Sequence, residues 1–249
     1  MLIGARQGCV DGETLEQKMS ALKQLRYDFL ELALTQDEIA ALGPDSTGTF
    51  GALCERTGLP ILSTSMGHFT GFASAPPARR AELAAHIRAL TRLTRALGAD
   101  AILLAVKEEA PVEQAAAIYR EELRPLADEA QALGATFALE HVGGYLPARL
   151  AELVAAVDHP GIRVYYDMGN ALGCGENPIE QARICAPLTA QLHIKGGPTT
   201  PLAAMPLVPI REVLEGAGFR GRGCLEIAAM PRNRHLADAR GVLMMAGYW

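Results

Sequence analysis

Segments with the pattern of a β-strand alternate with segments with the pattern of an α-helix eight times along this chain. The predicted strands are short apolar runs, such as 101–106, and the predicted helices carry apolar residues at helical spacing, as in 79–97. Apolar strands of this kind are typical of parallel sheets that helices cover on the outside. Eight such units in 249 residues match the length and order of a (β/α)₈ barrel. We therefore predict an α/β fold in which residues 1–249 form a single TIM-barrel domain.

The composition argues against several classes of protein. A formal net charge of −5 disfavours binding to nucleic-acid phosphates. No apolar run is long enough to span a bilayer, and the first residues lack the pattern of a signal peptide. The five cysteines are widely spaced without a C-x-x-C pair, so they predict neither a zinc knuckle nor a disulfide framework. We expect a cytoplasmic protein that binds neither nucleic acid nor membranes.

Residues of metal-binding type end four consecutive predicted strands. Glu140, Asp167, His193 and Glu226 each follow a largely apolar run. The carboxyl ends of all strands face one mouth of a parallel barrel, so these four side chains are expected to converge. Taken singly, such a residue is more commonly a helix cap or a solvated loop residue. Four at successive strand ends are hard to obtain by accident, and the pattern therefore predicts a metal site.

The chemistry of these four residues indicates the kind of ion. Three carboxylates and one imidazole in an apolar mouth repel one another and are costly to bury unpaired. One divalent cation bound among them would offset both the mutual repulsion and the cost of burying unpaired charges. A ligand set rich in oxygen, with one nitrogen and no sulfur, favours Mn²⁺ or Mg²⁺, with Co²⁺ or Zn²⁺ as alternatives.

The runs LEH, YYDMGN, LHIKGG and CLEI resemble the metal-binding strand ends of the xylose-isomerase-like TIM barrel superfamily, the sugar phosphate isomerase/epimerase group. The resemblance implies that Glu140, Asp167, His193 and Glu226 are metal ligands. It also implies that Glu140 and Glu226 are the catalytic acid/base pair. The expected activity is isomerisation or epimerisation of a small sugar, keto-sugar or sugar phosphate. Proton transfer would pass through an enediolate that the metal stabilises.

Four further polar residues near strand ends are candidates for binding the sugar substrate. They are His68, Lys107, Asn170 and Lys195. Each also has an ordinary explanation, since loop histidines and solvated lysines are common, and Asn170 is equally suited to ordering the loop after Asp167.

Other activities remain open at this point. An inosose-type dehydratase would begin with the same proton abstraction, and a sugar-binding barrel without catalysis would need only the cavity. A nuclease like the apurinic endonucleases is disfavoured because Asn170 stands where that branch carries a ligating His. The pair Ile194-Lys195 also follows His193 without the Asp-x-His pattern of that branch. Association into a homo-oligomer is left open.

Overall fold

The computed structural model, which describes residues 1–227 and 229–249, is a closed barrel of eight parallel strands in chain order. The last strand pairs with the first, in the register Gly4 beside Cys224. The predicted (β/α)₈ fold is confirmed. The strands are β1 Ile3–Arg6, β2 Phe29–Ala33, β3 Ile61–Met66, β4 Ala101–Val106, β5 Thr136–His141, β6 Ile162–Asp167, β7 Thr189–Ile194 and β8 Arg222–Leu225.

Helices cover the outside of the barrel. They are α1 Leu15–Gln24, α2 Gln36–Ala40, α3 Ser46–Thr57, α4 Pro77–Ala96, α5 Val112–Ile118, α6 Arg124–Ala132, α7 Pro147–Val157, α8 Met168–Gly173, α9 Pro178–Cys185, α10 Leu207–Gly216 and α11 Arg232–Met245. Within the described part of the chain, none of them is both long enough and apolar enough to cross a bilayer.

Two local features add to the helices that the sequence pattern predicts. The segment 111–133, which the pattern predicts to be helical, is helical from Val112 to Ala132, with a π-helical turn, Tyr119–Leu123, between α5 and α6. The short helix α8 has no clear hydrophobic period and was not predicted. It begins directly at the end of β6, where the Asp167 Oδ1 atom accepts the Asn170 backbone N–H at 2.7 Å and so satisfies a free donor of the first turn.

The inside of the barrel is filled by side chains and contains both an apolar and a polar group. The apolar group consists of Phe29, Leu103, Ala105, Ala138, Tyr165 and Cys224. The polar group consists of Glu31, Ser63, Gln191 and His193, all fully buried. Buried polar groups cost free energy unless they are hydrogen-bonded. The members of the polar group must therefore form hydrogen bonds with one another or with their neighbours. These contacts lead to the carboxyl mouth of the barrel.

Candidate metal centre

The four side chains predicted from the strand ends meet at the carboxyl mouth of the barrel. Asp167 lies beside His193 in the register of β6 and β7, and Glu226 comes one residue after β8. One ligand-type atom from each of Glu140, Asp167, His193 and Glu226 lies within 4.8 Å of the other three. Atoms that bind one ion at ~2.1 Å from opposite sides are ~4.2 Å apart, so small side-chain rotations suffice to close this cluster on one ion.

His193 is the centre of the cluster. Its Nδ1 atom lies 2.7 Å from Glu140 Oε1 and 3.7 Å from both Asp167 Oδ2 and Glu226 Oε2. Its Nε2 atom faces the opposite way, 3.1 Å from Glu31 Oε1. Burial would lower the pKa of His193, but the carboxylates of Glu140, Glu226 and Glu31 outweigh it and raise that pKa well above its usual range. The ring therefore lies in a strongly negative environment.

Two permanent cations border the cluster. Arg6 Nη1 lies 2.7 Å from Glu226 Oε1. Lys195 Nζ lies 2.5 Å from Glu226 Oε2 and 2.8 Å from Asp167 Oδ2. The carboxylates at this mouth are Glu31, Glu140, Asp167 and Glu226. When an ion replaces the Nδ1 proton of His193 and the ring is neutral, these four anions and two cations leave a net charge of about −2, which one divalent cation would balance.

Asp167 presents one oxygen to the helix and the other to the centre. Oδ1 accepts the Asn170 N–H, whereas the buried Oδ2 faces the centre, where it forms an ion pair with Lys195 Nζ at 2.8 Å but receives no well-directed hydrogen bond from the described residues. A carboxylate oxygen has two lone pairs, so Oδ2 can also contact an ion. Together with the oxygen-rich donor set and the charge deficit, it shows that the residues present fit a divalent ion such as Mg²⁺, Mn²⁺ or Zn²⁺.

The two carboxylates beside Lys195 have pKa values shifted in opposite directions. Burial raises the pKa of Asp167 to about 6; Lys195 opposes this shift and Glu140 adds to it. Burial also acts to raise the pKa of Glu226, but His193, Lys195 and Arg6 outweigh it and hold that pKa at about 2. Glu226 is therefore ionised at neutral pH with its charge well compensated. Asp167 carries a charge that the folded protein compensates poorly without an ion.

Replacing Asp167 with Asn is expected to stabilise the metal-free protein at neutral pH. The raised pKa means that the folded state holds the proton more tightly than the unfolded state, so the wild type loses stability as the pH rises from about 4 to about 6. Asn cannot ionise, so the variant's advantage should be absent below this window and reach roughly 1–3 kcal/mol above it. Urea denaturation of both metal-free proteins on either side of the window measures the difference. Equal stabilities at neutral pH would contradict this expectation.

A cavity of about 970 Å³ opens from the centre. Arg6, Lys195 and Glu226 line its inner end, and Pro198 together with 200–203 forms part of one wall. The helix α11 closes the far side with His235 and Asp238, among others. This volume is within the usual range of small-molecule sites, which is about 300–1,000 Å³.

The four predicted substrate-binding residues fall into two pairs. Asn170 and Lys195 line the cavity, although the Asn170 side-chain amide also donates to the His141 carbonyl at 2.9 Å. His68 and Lys107 are absent from the described residues that line it. His68 Nε2 instead lies 3.3 Å from His86 Nδ1, and Lys107 is exposed. Substrate contact by any of the four remains a prediction.

Three contacts at the site were not predicted from the sequence. Glu31 contacts His193 from inside β2, and a signal for it existed, because a charged residue within an apolar parallel strand requires a buried partner. His235 and Asp238 reach the cavity from α11, and no local pattern indicates this. Gly169 permits the close approach of α8 to the chain after β7, since a Cβ there would overlap the Gly196 carbonyl and the Lys195 side chain.

The sequence matches the model of the Xylose isomerase-like TIM barrel family over residues 19–245, and the chain belongs to that family. The resemblance seen in the four strand-end runs is thereby confirmed. No curated protein matches the sequence.

Solved structures with the same fold cover nearly the whole chain. The IOLI protein with a bound zinc atom has a TM-score of 0.80 at 16% identity, over 99% of this chain and 98% of that one. The 3-keto-D-glucoside 4-epimerase YcjR from E. coli has a TM-score of 0.80 at 16% identity, over 98% and 99%. A Xylose isomerase-like TIM barrel protein from Mycobacterium smegmatis in complex with magnesium has a TM-score of 0.78 at 18% identity, over 98% and 95%. At these identities, the likeness establishes the fold alone.

Proposed function

We propose that this protein is a divalent-metal-dependent isomerase or epimerase of a small sugar, keto-sugar or sugar phosphate. The observation that carries the proposal is the meeting of Glu140, Asp167, His193 and Glu226 within 4.8 Å at the mouth of the barrel, with a cavity of about 970 Å³ beside them. The structural neighbours include a 3-keto-D-glucoside 4-epimerase and proteins with zinc or magnesium, which supports both parts of the proposal. On this view residues 1–249 act as one cytoplasmic domain on a small molecule.

Glu140, Asp167, His193 and Glu226 would hold the ion, which is Mn²⁺ or Mg²⁺ in our proposal, with Co²⁺ or Zn²⁺ as alternatives. Bound there, it would supply Lewis-acid stabilisation of the negative charge that develops on the substrate oxygens. The sugar would lie in the cavity with Lys195 and Asn170 beside it. His68 and Lys107 remain candidates for contacts with a larger substrate.

Proton transfer is the task of the two glutamates. One carboxylate removes the proton from the carbon next to the carbonyl, and the electron pair of the broken C–H bond forms the C=C bond of the enediolate. The other carboxyl group, Glu140 or Glu226, returns a proton to that carbon from the opposite face for epimerisation, or to the neighbouring carbon for isomerisation. A positioned general base contributes about 10²–10⁴-fold to the rate.

The test is deuterium uptake from D₂O into keto-sugars, followed by NMR with the metal-loaded protein. We expect exchange at the carbon next to the carbonyl for at least one member of a panel of ketoses, ketose phosphates and 3-keto-glycosides. Loss of water from a polyol ketone would instead identify a dehydratase. Binding of a panel member without exchange or dehydration, with Mn²⁺, Mg²⁺, Co²⁺ and Zn²⁺ each supplied, would contradict the proposal and leave a sugar-binding barrel.

A further inference from the structure

Glu31 is a fully buried carboxylate in the middle of β2, and three donors surround it. The Tyr165 hydroxyl donates to Oε2 at 2.7 Å and the Ser63 hydroxyl at 3.2 Å. Oε1 is left for His193 Nε2 at 3.1 Å. A buried carboxylate with three donors is held firmly in place.

The direction of these hydrogen bonds is set from farther inside the barrel. The Gln191 amide nitrogen donates to the Ser63 hydroxyl oxygen at 3.1 Å and to the Tyr165 hydroxyl oxygen at 2.9 Å. Each hydroxyl accepts from Gln191 and therefore has its own proton free to donate to Glu31. The carboxylate has no proton to give, so His193 must be the donor on the Nε2 side.

We propose that Glu31 is the positioning residue of this centre: it accepts the Nε2 proton of His193, so that Nδ1, which lies 2.7 Å from Glu140 Oε1, is the nitrogen that gives up its proton when an ion binds among Glu140, Asp167 and Glu226. A neutral imidazole carries its proton on only one of its nitrogens, and the partner of one nitrogen decides which form is present. Metal-binding histidines commonly donate their other N–H to a carboxylate or carbonyl, and loss of that partner typically weakens metal binding about 10–100-fold. This inference rests on the metal centre proposed above.

A second arrangement of ligands competes with this one. Glu31, His193 and Cys224 also bring ligand-type atoms within 4.8 Å of one another, and Glu31 lies on the Nε2 side of the ring. This arrangement offers one carboxylate and a thiol, whereas the Nδ1 side offers three carboxylates. A hard cation prefers the Nδ1 side. The two arrangements differ in which nitrogen of His193 keeps its proton.

Calorimetric titration of Mn²⁺ into metal-free protein measures the effect of Glu31 on ion binding. We expect Glu31→Leu to weaken binding about 10–100-fold. Glu31→Gln should lie between this variant and the wild type, because its amide oxygen restores an acceptor for Nε2–H. The matched control is Thr64→Val, which removes a fully buried hydroxyl of the neighbouring strand β3 that pairs with Thr94 at 2.7 Å, outside the polar group that holds Glu31, and should leave the affinity within about threefold of the wild type. Thermal unfolding of the metal-free variants separates a general loss of stability from a loss of affinity.

Nitrogen-15 NMR of the imidazoles in the Mg²⁺-loaded or Zn²⁺-loaded protein provides a readout that stability alone does not move. We expect His193 to show a protonated Nε2 in the wild type and in Glu31→Gln, and to lose that signature in Glu31→Leu. An ion on Nε2, or affinities in both Glu31 variants equal to the wild type, would overturn the positioning role and leave the proposed centre intact. A wild-type protein that binds none of the four ions would overturn the centre itself and this inference with it.

Discussion

Glu226→Gln and, separately, Glu140→Gln are each expected to slow deuterium exchange into the substrate by about 10²–10⁴-fold, because an amide cannot act as a general base. Glu226 is ionised at neutral pH, with its pKa held at about 2 against burial by His193, Lys195 and Arg6. In the Gln variant, Lys195 and Arg6 lose the charge that they pair with at 2.5 and 2.7 Å. Single-turnover exchange rates with saturating metal separate this effect from weaker ion binding.

The matched control for both variants is Asp238→Asn. Asp238 lines the same cavity from α11 but supplies no atom to the cluster of four. We expect its exchange rate to stay within about threefold of the wild type, as for an exposed polar substitution outside the reacting groups. Wild-type exchange in either glutamate variant would remove that residue from the proton transfer.

Removing the divalent ion by chelation is expected to abolish exchange and to lower the thermal stability of the wild type. An ion present at about 100 times its Kd stabilises the folded state by about 3 kcal/mol. For a chain of this size, this corresponds to about 5–10 °C in Tm. Differential scanning calorimetry before and after exhaustive dialysis against a chelator measures the change, and separate return of Mn²⁺, Mg²⁺, Co²⁺ and Zn²⁺ identifies the ion that restores exchange.

Asp167→Asn provides the internal comparison for this experiment. The variant lacks one ligand carboxylate but keeps an oxygen for the Asn170 N–H that starts α8. Its Tm should therefore respond weakly or not at all to the ion that stabilises the wild type. Full exchange activity in chelated wild-type protein would contradict the requirement for a metal.

The barrel and the convergence of its strand ends were predictable because both depend on local patterns. Short apolar runs specify the strands, and a parallel closed sheet then brings the residues after them to one mouth. Asp167 and His193 lie side by side for this reason alone. That they bind an ion together with Glu140 and Glu226 remains a prediction.

The role of Glu31 depends on long-range geometry. Its contact with His193 joins residues 162 positions apart, and only the closing of the sheet determines that β2 faces β7 across the interior. The π-helical turn between α5 and α6 and the start of α8 were not predicted because neither changes the hydrophobic period over enough residues to be detected.

The positions of His68 and Lys107 show that a residue near the end of a strand does not always line the cavity. The cavity lies over β5 to β8 and the end of β1, so the chain after β3 and β4 packs beside it. Glu108 fixes that packing, since it accepts the Ala73 N–H at 3.0 Å and the Tyr119 hydroxyl at 2.9 Å. Proximity to a strand end therefore does not ensure access to the cavity.

The buried polar group inside the barrel limits which substitutions could raise the protein's stability without disturbing His193. Replacing such a group with hydrocarbon side chains of matching volume commonly makes a fold more robust. Here the same replacement would leave His193 free to turn or to exchange its protonated nitrogen. On the proposed role of Glu31, mutations meant to raise thermal stability would therefore be placed on the outer helices, away from the residues that contact the candidate metal centre.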